Sequence, residues 1–137
     1  GRSAYIPETY VSDIDQRLAI YRRLARLTDT SELENLREEL QDRFGPLPAE
    51  AMALLEKIML KVLCKKLGIQ RLDLGPRSTV LTFSEKTHVR AEQITQLIQQ
   101  DPQRFHFRPD YVLEAKVPWE GAADAMDLTK KVLQELL

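Results

Sequence analysis

Two histidines, one cysteine and scattered pairs of carboxylates are the residues of this chain with the most catalytic potential. His88 and His106 each lack a second His, Cys or carboxylate at a spacing suited to a shared metal ion. Neither has a neighbour that would complete a general acid–base pair. His88 reads as the entry to a helix, and His106 as an outward-facing strand position. Cys64 falls within an apolar helical pattern and reads as a small buried hydrophobe rather than a reactive thiol. Glu38 and Glu39 are adjacent on a helical stretch, so they point in different directions and read as a solvated face. No G-x-x-x-x-G-K-[ST] or G-x-G-x-x-G loop is present. The five glycines stand at helix ends and turns. The chain is therefore read as non-catalytic, with no catalytic, cofactor-binding or metal-binding residue.

The stretch "ELQDRFGPLP", residues Glu39 to Pro48, concentrates charge, an aromatic ring, a glycine and two prolines. Gly45 can stop a helix, Pro46 cannot continue one, and Pro48 suits the first turn of the next. Before it, "SELENLREELQDRF" carries Leu33, Leu36, Leu40 and Phe44 on one side. Glu32, Glu34, Glu38, Glu39 and Asp42 fill its other faces, so this helix is acidic. A carboxylate-rich face steers a basic partner, although single exposed pairs add little affinity.

The surrounding elements must position that face. "YVSDIDQRLAIYRRLARL" reads as a helix capped by Ser12 or Asp13, with Ile14, Leu18, Tyr21 and Ala25 as its apolar stripe, widened by Leu24. "AEAMALLEKIMLKVLCKKLG" is a third helix, with Ala51, Leu55, Ile58 and Val62 in register. Its Lys57, Lys61 and Lys65 form a basic stripe, read as solvated or as paired with the acidic second helix. Past Gly68 the period shortens. "IQRLDLG" and "STVLTFS" alternate as strands around the turn "GPR". "HVRAEQITQLIQQ" reads as a helix with Ile94, Leu97 and Ile98 inward. "RFHFR" and "YVLEAKVP" read as a hairpin around Pro109 and Asp110, and "GAADAMDLTKKVLQELL" as a final amphipathic helix through Met126, Thr129, Val132, Leu133 and Leu136. The predicted fold class is α+β: an N-terminal three-helix subdomain, then a β-β-α-β-β-α unit with a small antiparallel sheet covered by helices.

Composition fits a globular domain: 43% hydrophobic, 30% charged, 137 residues. Net charge is −1, from 20 basic and 21 acidic residues, which argues against a dedicated nucleic-acid domain. The best local nucleic-acid candidate is the strand with Phe105 and Phe107 between Arg104 and Arg108. Alternation places both rings on one face, as a core requires, and that reading is preferred. No apolar run reaches the length of a membrane span and no signal peptide opens the chain, so the expected location is cytoplasmic. The chain lacks an initiator methionine and reads as a piece of something larger. Residues 1–4 read as a linker or cloning scar and residues 5–137 as one domain, helical over 5–68 and α+β over 69–137.

The helical half resembles the start of the C-terminal (TRCF) domain of the bacterial transcription-repair coupling factor family, Mfd. That family opens the domain with "IP-x-x-Y-x-x-D-x-x-x-RL-x-x-Y", matched by Ile6, Pro7, Tyr10, Asp13, Arg17, Leu18 and Tyr21. Its "EL-x-DRFG-x-LP" is matched by Glu39, Leu40, Asp42, Arg43, Phe44, Gly45, Leu47 and Pro48, and its "KLGI" by residues 66–69. The β-rich half agrees in order and in phrases such as "FSEKTHV" but is less diagnostic.

The resemblance implies a regulatory, autoinhibitory domain of an ATP-dependent DNA translocase of transcription-coupled nucleotide excision repair. Such a domain covers the UvrA-binding surface of the parent's own UvrB-like module until the motor engages stalled RNA polymerase. UvrA, RNA polymerase and DNA would be reached only through the parent, and ATP and magnesium would belong to a motor outside this chain. The UvrB-like surface in the family presents arginines. The resemblance therefore singles out Glu39 and Asp42, with Arg43 as a third contact or internal brace, as the intramolecular interface. The competing reading is that Asp42 and Arg43 only fasten the helix end. The alternative function is an accessory module for nucleic acid or RNA polymerase using the Phe105–Arg108 strand. No membrane partner is expected, and the isolated domain is expected to be a monomer.

Overall fold

The computed structural model describes residues 3–117 and 122–137. The expected strand end at Pro118, the expected helix start at Gly121 and the first two residues of the 1–4 segment lie outside the described residues. The elements run α1 (Ile14–Arg26), α2 (Thr30–Phe44), α3 (Ala49–Leu67), β1 (Ile69–Leu74), β2 (Ser78–Phe83), α4 (Ala91–Gln100), β3 (Phe105–Arg108), β4 (Val112–Lys116) and α5 (Ala122–Leu136). This is the α+β order read from the sequence. Two compact units are present, one up to Val62 and one from Leu63 to Leu137. None of the described helices is long and apolar enough to cross a membrane.

In the first unit, α2 buries Leu33, Leu36 and Leu40 along one stripe, and α3 buries Ala51 and Leu55. The connection from Thr28 starts α2 with a real cap: the Asp29 side chain accepts a hydrogen bond from Ser31 N at 3.3 Å. At the other end Gly45 has φ +88°, a conformation that glycine adopts without steric cost, and its N–H closes on the Gln41 carbonyl at 3.0 Å.

α1 differs from expectation. Of the expected stripe Leu24 is buried, but Ile14, Leu18 and Tyr21 are 60%, 45% and 37% exposed and Ala25 is also exposed, while Ile20, outside that stripe, is buried. The helix has two adjoining apolar arcs, and periodicity favours the more populous one. Tertiary bonds select the other. Ile20 and Leu24 lie on the helix between Arg23, which bridges to α2, and Arg17, which donates to the carbonyls of Val11 at 2.8 Å and Ser12 at 3.1 Å. Asp13 occupies the N-cap position but its side chain makes no capping bond.

The motif residues before α1 act as ties. Ile6, Pro7 and Val11 are buried. Ile6 N donates to the Tyr21 hydroxyl at 2.7 Å. The Tyr10 hydroxyl lies 2.7 Å from the Gly45 carbonyl and 3.1 Å from the Leu40 carbonyl, one proton shared between two acceptors at the end of α2. Burial pushes the Tyr10 phenol up from its ordinary value, so it remains a donor.

In the second unit the sheet order is β1-β2-β4-β3, with every neighbouring pair antiparallel. Central β2 and β4 supply the buried Thr79, Leu81, Phe83, Leu113 and Ala115, while β1, at one edge, is mostly exposed. Ile94 and Leu97 of α4 and Val132, Leu133 and Leu136 of α5 complete this core. One buried polar link crosses from sheet to helix. Thr129 Oγ1 donates to the Ala125 carbonyl at 2.7 Å, so its proton is committed, and Thr79 Oγ1 must donate to Thr129 across 3.1 Å. Tyr111 lies in the β3–β4 turn at φ +64° rather than in β4. Its ring meets Phe107 and Phe83 edge-on at 5.2 and 5.8 Å, and these contacts offset the left-handed backbone.

Candidate functional site

The last two turns of α2 carry the charges singled out by the sequence. The helix places Asp42 and Arg43 three and four residues after Glu39, on one side of its surface, and Glu39 pairs with Arg43. Arg43 Nη1 stands 3.6 Å from Glu39 Oε2. The Arg43 guanidinium also sits over the Phe44 ring, 5.0 Å from its centroid, and that ring tilts against Tyr10 at 5.8 Å. Arg43 is thus braced from two sides. Asp42 is exposed and makes no hydrogen bond or ion pair among the described residues.

Sequence reasoning missed the third member, Arg23 of α1. Its Nη1 donates to Glu39 Oε2 at 2.5 Å. Four arginines on α1 were candidates for such a bond, and nothing in their spacing selects one, because the choice depends on how two helices approach. The hydrogen bond from Arg23 holds the Glu39 carboxyl below the ordinary carboxylate range; burial opposes this, and the charges of Arg23 and Arg43 reinforce it. Glu39 is therefore fully ionised near neutral pH, although its side chain is still 39% exposed. A shallow cleft of about 290 Å³ opens here, with Asp15, Ala19, Ile20 and Arg23 from α1 facing Glu39 and Arg43 from α2. A fixed anion, two guanidinium groups and an open rim suit polar docking. The cleft presents no nucleophile paired with a base.

The remaining candidates are placed elsewhere. His88 is exposed in the loop before α4, and His106 is exposed on β3. No group of three or more His, Cys, Asp and Glu among the described residues could hold a metal ion. Cys64 is half-buried, and burial pushes its thiol up to about 11, which leaves it protonated and unreactive. Phe105 is buried, Arg104 pairs with Asp101 at 3.3 Å, and Arg108 pairs with Glu114 at 3.0 Å. The strand that could have stacked on nucleic acid thus has one ring in the core and both its cations neutralised. Lys57 and Lys61 make no ion pair with the acids of α2 among the described residues; the acid–base link of α2 runs to α1 instead.

Comparison with known proteins agrees with this architecture. A family model described as the TRCF domain matches residues 1–94. The chain is 38% identical over 105 residues to the transcription-repair-coupling factor of Escherichia coli, covering 77% of this chain and 9% of that protein. It is 34% identical over 135 residues to that of Myxococcus xanthus, covering 97% and 11%. The Rickettsia bellii factor is 37% identical over 110 residues, covering 80% and 10%. The chain spans about a tenth of the length of these relatives. A crystal structure of the C-terminal domain of transcription-repair coupling factor shares the fold, with a TM-score of 0.69 over 98% of this chain and 89% of that one, at 23% identity. This chain belongs to the TRCF domain family of transcription-repair coupling factors.

Proposed function

We propose that this domain is an intramolecular clamp. It covers the UvrA-binding surface of a UvrB-like module in the same polypeptide until the parent's motor engages stalled RNA polymerase. ATP and magnesium serve that motor, outside this chain. The observation that carries the reading is the shoulder at the end of α2, where ionised Glu39 and Asp42, which has no partner among the described residues, face solvent beside the braced Arg43. Glu39 and Asp42 would receive the partner's guanidinium groups, and Arg43 would hold Glu39 in place or contact a carboxylate opposite. Exposed pairs of this kind contribute roughly 0.2–1 kcal/mol each, so the clamp is releasable. Within one polypeptide, tethering raises the effective concentration and makes weak contacts sufficient.

The test is calorimetric titration of the domain with the UvrB-like module of the same parent in low salt. Glu39→Arg combined with Asp42→Arg should weaken binding by roughly tenfold or more, since attraction is replaced by like-charge repulsion. The double variant should keep a cooperative thermal transition. Unchanged affinity in the double variant, or no binding by the wild-type domain, contradicts the clamp.

A further inference from the structure

The Glu39 carboxylate does not wait empty for a partner. Arg23 holds its Oε2 at 2.5 Å, closer than Arg43 at 3.6 Å. The two arginines differ in how they are held. Arg43 is braced over the Phe44 ring, whereas no ring contact holds Arg23 among the described residues; each pairs with Glu39 and each side chain is about half exposed, 48% for Arg23 and 49% for Arg43. Arg23 is therefore the member that can swing away. The group that best engages a carboxylate is another guanidinium, which offers parallel N–H donors in a fixed plane. Both arginines meet Oε2, and Oε1 has no bond among the described residues, so a partner guanidinium that engages the two oxygens in parallel must share or displace Arg23 at Oε2.

Building on the clamp reading, we propose that Arg23 is an internal competitor for the partner's guanidinium and so sets the strength of the docking site. While Arg23 is seated, Glu39 is neutralised, and Asp42 is the carboxylate of this shoulder without an ion pair among the described residues. Docking displaces Arg23, and the loss of the Arg23–Glu39 bond subtracts from the affinity gained. Release runs in reverse, with Arg23 ready to recapture the vacated carboxylate. Arg23 is a positioning residue in this scheme, and its removal strengthens binding.

The test compares wild-type domain, Arg23→Gln and Arg22→Gln, each also in a Glu39→Gln background. The probes are an oligo-arginine peptide and the UvrB-like module, and the Glu39 carboxyl carbon is followed by NMR. Arg22 is exposed, carries the same charge and has no bond to Glu39, so its variant controls for net charge alone. Arg23→Gln should bind both probes about two- to five-fold tighter, equivalent to about 0.4–1 kcal/mol. The Glu39 titration should move up toward the ordinary range. Arg22→Gln should bind as wild type does, and the gain from Arg23→Gln should vanish once Glu39 is Gln. Unchanged or weaker peptide binding by Arg23→Gln, an equal gain from Arg22→Gln, or no peptide-dependent shift at Glu39 overturns the proposal. Failure of the clamp reading would show differently: no binding of the module by any variant, with the peptide arm still deciding the role of Arg23.

Discussion

Glu39 shows how one residue can serve a scaffold and a surface. Its carboxyl is lowered in the folded domain chiefly by the Arg23 hydrogen bond. A lowered folded value stabilises the domain above the unfolded value, near 4.3 for glutamate, and that contribution is lost as pH falls through the folded value. Wild type should therefore melt slightly above Glu39→Gln at pH 7, and thermal scans down to about pH 3 should show the gap closing. A gap that widens in acid would contradict this. Tyr10 offers a sharper case, because its hydroxyl serves the Leu40 and Gly45 carbonyls. Tyr10→Phe should cost about 1 kcal/mol in denaturant unfolding of the helical unit, with α2 fraying at its C-terminal end. The motif around Tyr10 could be read in the sequence, but its role could not. A tyrosine thirty residues from its acceptor carries no local sign of which carbonyl it will reach, and the same is true of Arg23 and Glu39.

At the scale of elements, helices and strands were legible because their periods differ and because Gly45, Gly68 and Gly75 punctuate them. The face that α1 buries was legible only at Leu24; Ile20 lies outside the stripe that periodicity favours, and bonds donated by Arg17 and Arg23 and accepted by Tyr21 set how the helix turns. The strand order and the left-handed Tyr111 were hidden for a similar reason, since both rest on contacts made across the sheet. Gly68 joins α3 to β1 at φ +71°, and a Cβ there would stand 2.6 Å from the Thr87 backbone. Gly68→Ala combines a left-handed penalty of about 1–2 kcal/mol with that clash, so it should lower the melting temperature of the second unit more than Gly45→Ala lowers that of the first, where a Cβ meets nothing within 4 Å. The Thr79–Thr129 link gives a second test. Thr129→Val should cost about 1–3 kcal/mol by orphaning the Thr79 hydroxyl, and adding Thr79→Val should recover part of the loss. Additive losses in the double variant would mean that the two hydroxyls are not coupled.

For the molecule as a whole, a net charge of −1 hides strong local structure: acidic groups at the end of α2, and arginines that hold some of them in check. A clamp of the proposed kind is served by exposed, partly neutralised charges better than by an apolar interface, because each pair contributes little and dissolves readily in salt. The family could be read in the sequence through its motifs, and much of what those motifs encode is scaffold. Ile6 and Pro7 are buried, Tyr10 and Tyr21 tie the first segment down, and Gly45 turns the chain. The surface proposed for a partner is the short row of Glu39, Asp42 and Arg43, where Glu39 and Arg43 pair and Asp42 has no partner among the described residues. The most direct measurement of the clamp is competition. UvrA is bound to the isolated UvrB-like module at a fixed concentration, and this domain is titrated in at low salt. The clamp predicts progressive displacement of UvrA by wild-type domain, earlier displacement by Arg23→Gln, and displacement by the Glu39→Arg, Asp42→Arg double variant only at roughly tenfold higher concentration or more. A stable ternary complex, with UvrA and the domain bound to the module together, would contradict it.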